Sequence, residues 1–153
     1  MDTQKKHGRY TRIVDQLILL LSKTDDPVAR MATIVAVLSH KMEYFFWCGF
    51  YRVIGDKLVV GPYQGPVACQ VLEGKGVCWT AVNKGETVIV PDVEKFSGHI
   101  SCDSRSKSEI VIPVHDDHGK IVAVLDVDSK ELDSFDKTDR SFLENIVNQV
   151  YNH

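Results

Sequence analysis

The segment "SEIVIPVHDDHGKIVAVLDVDS", residues 108–129, constrains the fold more than any other stretch. Two runs rich in Ile and Val flank Asp116-Asp117-His118-Gly119, a cluster of turn formers, so the chain reverses and the runs pair antiparallel. Side chains two apart in a strand share a face. Asp126 and Asp128 therefore project from the face of Val122 and Val124, about 7 Å apart along the strand. With Asp116 and Gly119 flanking the tightest turn, paired residues sum to about 235, which sets Glu109 opposite Asp126 to within one or two residues. Three carboxyl groups then cluster. Like charges in a partly dry site raise one another's pKa, so one of them can hold a proton near neutrality and serve as a general acid. The ordinary alternative is that these acids mark strand ends that meet water.

The rest of the chain supplies the layers around that hairpin. Ile13, Leu17, Leu20 and Leu21 recur at helical spacing and predict a first helix over about 9–22. Asp26 followed by Pro27 starts a second, whose apolar face carries Val28, Met31, Val35 and Leu38. "YFFWCGFYRVIGDKLVVGPY" reads as a hairpin turning at Gly55-Asp56. "PVACQVL" and "TVIVPDV" read as further strands. A short helix from about Val77 to Asn83 lies between glycines, and residues 94–107 form a polar loop. "SFDKTDRSFLENIVNQVY" closes the chain as a helix, with Phe142, Leu143, Ile146, Val147 and Val150 on one face. Helices at both ends of about six mainly antiparallel strands predict an α+β fold, with those helices on one face of the sheet. The other face is left to segments 65–85 and 91–107, or to a site. At 153 residues the chain is expected to form one domain, 1–153, with the first helix as an N-terminal extension packed on it.

Charge and cysteine usage narrow the function classes. A net charge of -3 gives no footprint for nucleic acid or an anionic membrane. "LILLL" is too short to span a bilayer, and the N-terminus lacks the small-residue cleavage site of a signal peptide. The expected compartment is the cytoplasm, where thiols stay reduced and a cysteine cluster is more often catalytic, redox-active or metal-binding than structural. Four cysteines are present: Cys48, Cys69, Cys78 and Cys102.

Cys102 stands out, in the polar stretch "GHISCDSRSKSEI" just ahead of Glu109. A free cysteine is normally buried as a small hydrophobe. Here it is a nucleophile candidate brought to an acid candidate over an anionic floor. Carboxylates alone suppress the reactive thiolate; His99 and Arg105 are the cations close enough in sequence to offset them, although both also read as solvated loop residues. Cys69, Cys78, His99 and Cys102 offer four zinc-ligand types, but no pair has the short spacing of a zinc motif, so no metal site is expected. Cys78 near a helix start and Cys48 in an aromatic strand suit core filling. Trp47 and Tyr51 share a strand face with Gly49 and read as core, or as an aromatic wall for a sulfonium-like group.

Taken together, "FFWCGFYRV", "GPYQGPVAC", "GKGVCWTAV", "FSGHISCDSRSKSEIVIPV" and "GKIVAVLDVDS" resemble the GAF-fold free methionine-(R)-sulfoxide reductases, over about Met42 to Val150. The resemblance implies that Cys102 attacks the sulfur of free L-methionine (R)-sulfoxide and becomes a sulfenic acid. It implies Cys69 as the resolving cysteine, with Cys78 as runner-up or relay, and thioredoxin as the external reductant in place of any bound cofactor. Glu109 and Asp128 match the acids placed near the sulfoxide oxygen. Asp126 matches one that helps hold the substrate, and Trp47 and Tyr51 match aromatic positions packing on the thioether end. The loop 91–107 would be a lid carrying the nucleophile, and a homodimer is expected. Two rivals remain open: a non-enzymatic GAF sensor, for which an output domain would be expected, and a redox switch that forms the same disulfide without turning over sulfoxide.

Overall fold

A computed structural model describes residues 1–151; the last two positions of the expected 1–153 domain lie outside the described residues. The element order is α1 (Thr3–Leu21), α2 (Pro27–Lys41), β1 (Trp47–Ile54), β2 (Lys57–Gln64), β3 (Val71–Glu73), α3 (Val77–Lys84), β4 (Val88–Val90), β5 (Ser108–His115), β6 (Ile121–Ser129) and α4 (Lys137–Val147). The strands form one sheet in the order β3-β2-β1-β6-β5-β4, and every neighbouring pair is antiparallel. The α+β expectation holds.

Strand alternation divides the interior into two cores. Cys48 and Phe50 of β1, Ile110, Ile112 and Val114 of β5, and Ala123, Leu125 and Val127 of β6 face α1, α2 and α4. Trp47, Tyr51, Val111 and Val124 face the opposite way, toward Val77, Cys78 and Ala81 of α3 and the segments around it. The chemistry-bearing side chains lie on this second face.

Helix ends are set by local acceptors. The Asp26 side chain accepts from the backbone N–H of Val28 at 2.9 Å, which starts α2 with Pro27 in its first turn. Asp2 does the same for α1, which begins at Thr3 and so about two turns before the expected start near residue 9. The cause of that extension is non-local. Lys6 donates to Asp139 Oδ2 at 2.5 Å and to the Ser134 carbonyl at 2.8 Å, while the Tyr10 and Tyr44 hydroxyls both donate to Asp139 Oδ1. Asp139 is fully buried and also closes the capping box of α4 with Asp136. Arg30 donates to the carbonyls of Leu21, Thr24 and Gln149, satisfying acceptors at the C-terminal ends of α1 and α4. Among the described residues no helix is long and apolar enough to cross a membrane.

Two strands are shorter than expected. "PVACQVL" contributes only its end, from Val71, because Pro66 to Cys69 are held off the sheet, while the Gln70 carbonyl already accepts from the Val60 N–H at 2.9 Å. The Trp47 indole N–H donates to the Pro66 carbonyl at 3.0 Å, and the Tyr51 hydroxyl donates to the Cys69 carbonyl at 2.9 Å. "TVIVPDV" forms a strand only over Val88–Val90 before a 3-10 turn at Val93–Lys95. The final helix ends at Val147, and the buried Val150 follows it in a turn.

Candidate active site

The β5–β6 hairpin puts Glu109 opposite Asp128, and Val111 opposite Asp126. The expected partner of Glu109 was Asp126, two positions away. One step comes from the turn: Asp116 pairs with Lys120, not Gly119, and its carboxylate accepts from the N–H groups of His118 and Lys120. The second comes from an irregularity between Val114 and His115. Two one-residue steps restore the side-chain parity, so Glu109, Asp126 and Asp128 still share the face turned toward α3.

Glu109 and Asp126 are each 6 % exposed, and Asp128 is partly exposed to the pocket above them. Burial drives all three carboxyl groups upward from their ordinary pKa. Glu109 is raised well above the usual range, first by burial and then by the charges of Asp126 and Asp128. The same acids surround the Cys78 thiol, which burial also pushes well up. Asp126 Oδ1 is buried and finds no hydrogen-bond partner. Among the described residues no Lys or Arg forms an ion pair with this cluster.

Above the acids, Cys69 and Cys102 are joined by a disulfide, with Cα atoms 5.5 Å apart. Cys69 is half-buried and Cys102 exposed, whereas Cys78 and Cys48 are free, buried thiols. Cys48 lies in the helix-side core, as its aromatic strand suggested. The pocket is lined by Trp47, Tyr51, Cys78, Cys102, Glu109, Asp126 and Asp128, so the three carboxylates, two of the cysteines and both aromatics expected there converge. Cys69 reaches it through its bond to Cys102.

The aromatic wall has its own scaffold. Trp47 stacks between Tyr51 and Tyr63, with ring centroids 5.7 and 5.2 Å away. The indole lies across Gly49, where an added Cβ would come within 2.6 Å of the ring and 2.3 Å of Tyr63 Cβ. Burial pushes the Tyr51 hydroxyl well above its usual pKa, so it stays a neutral donor.

His99 is the residue whose place the sequence conceals. Expected as solvated, it lies in the pocket wall with Nε2 4.0 Å from Glu109 Oε1. Burial lowers its pKa, so near pH 7 it faces the acid as a neutral imidazole. No local signal marks it, because its approach depends on the path of the 96–107 loop. Arg105, the other expected cation, does not reach the acids. It is held by Asp103 at 2.6 and 3.0 Å and stacks 4.9 Å over Phe46, and this pairing draws the Asp103 pKa down to about 2. The base of the loop is pinned where Val93 N–H donates to Lys107 O and Lys107 N–H donates to Ser129 O.

Fold and pocket together define a GAF domain whose outer sheet face carries cysteines and carboxylates: a model of the GAF domain matches residues 26–153. GAF domain-containing protein A of Dictyostelium discoideum is 45% identical over 149 residues, covering 96% of this chain and 93% of that protein. The free methionine-R-sulfoxide reductase of Escherichia coli strain K12 is 40% identical over 124 residues, covering 80% and 74%. The X-ray structure of free methionine-R-sulfoxide reductase from Neisseria meningitidis, in complex with its substrate, matches with a TM-score of 0.90 at 40% identity, over 95% of this chain and 87% of that one. The chain belongs to the free methionine-(R)-sulfoxide reductases of the GAF domain family.

Proposed function

We propose that the chain reduces free L-methionine (R)-sulfoxide to methionine through Cys102. The observation that carries this reading is the Cys69–Cys102 bond in a pocket that Glu109, Asp126 and Asp128 also line. The Cys102 thiolate attacks the sulfoxide sulfur, a proton from the acid cluster goes to the sulfoxide oxygen, and that oxygen passes to the cysteine sulfur. Methionine and a Cys102 sulfenic acid result: the substrate sulfur is reduced by two electrons and the cysteine sulfur oxidised by two. The Cys69 thiol then displaces water from the sulfenic acid and forms the disulfide. A dithiol reductant of the thioredoxin kind reopens it by exchange, taking the disulfide onto itself.

Glu109 is the proton donor in this scheme, because burial and two neighbouring carboxyls favour its protonated form. Asp126, with an oxygen lacking any protein partner, and Asp128 take the substrate's α-ammonium group. Trp47 and Tyr51 pack on the thioether end. A peptide-bound methionine has no ammonium to offer and leaves the buried carboxylate unpaired, which accounts for selection of the free amino acid. Cys78 stands in reserve as the alternative resolving thiol. We further infer a cytoplasmic homodimer. Two buried free thiols suit a reducing compartment, and Ile18 and Leu19, 58% and 73% exposed on α1, suit a surface that pairs.

The deciding measurement is NADPH oxidation in a thioredoxin-coupled assay with the separated R and S epimers of free methionine sulfoxide and the N-acetylated R epimer. Turnover of the free R epimer alone is the expected result. No turnover of any epimer by folded, reduced protein would leave a binding module and refute the proposal.

A further inference from the structure

In the oxidised protein one thiol of the pocket has no redox task. Cys78 lines the same pocket as Cys102, is 4 % exposed, and makes no disulfide. Its sulfur, one oxygen of Glu109 and one oxygen of Asp126 all lie within 4.8 Å of one another. Asp126 Oδ1 is buried without a donor to satisfy it. The basic groups lining the pocket are the exposed Lys75 and the neutral His99. An α-ammonium group is served by the carboxylates alone and gains nothing from a sulfur. A hard cation such as calcium takes oxygen ligands only. A mixed thiol and carboxylate set suits a thiophilic divalent ion.

We propose that Cys78, Glu109 and Asp126 form a binding site for a thiophilic divalent cation, zinc being the natural occupant. At zinc–sulfur and zinc–oxygen lengths of about 2.3 and 2.1 Å, tetrahedral ligand atoms stand about 3.6 Å apart. Closure of the three side chains by about an ångström therefore completes the site. Binding displaces the thiol proton and the proton that Glu109 holds, and the Cys78 thiolate and the two carboxylates become the ligands. A bound ion occupies the space that the α-ammonium group would need, so metal and amino acid exclude each other. The site does not depend on the reductase reading, because its test involves no sulfoxide turnover.

The experiment titrates Co²⁺ into oxidised protein, where the bridge silences Cys69 and Cys102 and Cys48 is fully buried on the other face of the sheet. The expected result is a thiolate-to-cobalt charge-transfer absorption that saturates at one equivalent and is displaced by Zn²⁺. Cys78→Ser and Cys78→Ala, each verified as folded by circular dichroism, lose the band. Asp126→Asn, which removes one anionic ligand, keeps the band with weakened affinity. Absence of the band in wild-type protein overturns the proposal. Persistence of the same band in either folded Cys78 variant overturns it too, since the thiolate would then come from elsewhere.

Discussion

Replacing Glu109 with Gln separates what the acid cluster does for chemistry from what it costs the fold. Glu109 is buried beside two other carboxyls, and its pKa is raised well above the usual 4.5. The folded state therefore keeps a proton that the unfolded chain has released. Where the native state binds the extra proton, stability falls as pH rises, by about 1.4 kcal/mol per pH unit for one proton. The penalty is absent below the ordinary glutamate pKa and complete above the raised one. Gln keeps the shape and cannot titrate. Glu109→Gln therefore gains on wild type with increasing pH through that window, and matches it below. With a urea slope of about 2 kcal/mol per molar, the separation of midpoints widens by about 0.7 M per pH unit. Asp126 and Asp128 remain, so the variant's own profile is flatter without being flat. The assay is urea unfolding of the oxidised proteins across about pH 4 to pH 8, paired with single-turnover reduction of methionine sulfoxide by the reduced proteins. The chemical step is expected to slow by about a hundredfold or more, with little change in substrate affinity. A midpoint difference that does not vary with pH would refute the electrostatic argument. An unchanged single-turnover rate would remove Glu109 as the acid.

Three further outcomes are expected. Cys102→Ser abolishes reduction of free methionine sulfoxide; normal turnover in that variant would overturn the mechanism. Cys69→Ser completes one fast turnover and then fails to recycle with thioredoxin, while full steady-state activity would move the resolving role to Cys78. Asp139→Asn strips Lys6 of its buried counter-charge and lowers stability by about 3 kcal/mol in thermal or urea unfolding. A loss below about 1 kcal/mol would mean that Asp136, 3.4 Å from the Lys6 ammonium, serves as its counter-charge alone.

How much was legible depended on how local the cause was. Asp26-Pro27, Gly55-Asp56 and the Ile/Val runs of residues 108–129 act within a few residues of themselves, and the elements they specify are present. The face shared by Glu109, Asp126 and Asp128 followed from strand parity, which two one-residue steps left intact. The pairing partner of Glu109 did not follow, because the Asp116 side chain chose a larger turn. The early start of α1 depends on Lys6 reaching Asp139, and the strandless stretch at Pro66–Gln70 on donors from Trp47 and Tyr51. His99 beside Glu109 is likewise a product of tertiary path. The roles proposed for the cysteines, Trp47 and Tyr51 rest on the family's motifs; spacing alone left them between core and site.

The bridge between Cys69 and Cys102 turns β3, α3 and β4 into a covalent ring, since its ends are 33 positions apart in the chain. A ring of that size removes freedom from the unfolded chain worth about 4 kcal/mol. By a thermodynamic cycle, the same quantity separates the bridge's tendency to form in the folded protein from that in the denatured chain, about a thousandfold in equilibrium constant. The oxidised molecule is then the more durable of the two forms, and the reduced molecule the more fragile. In the proposed cycle, each round would swing the protein between these two melting temperatures. A population starved of reductant would collect in the idle form that best survives the wait.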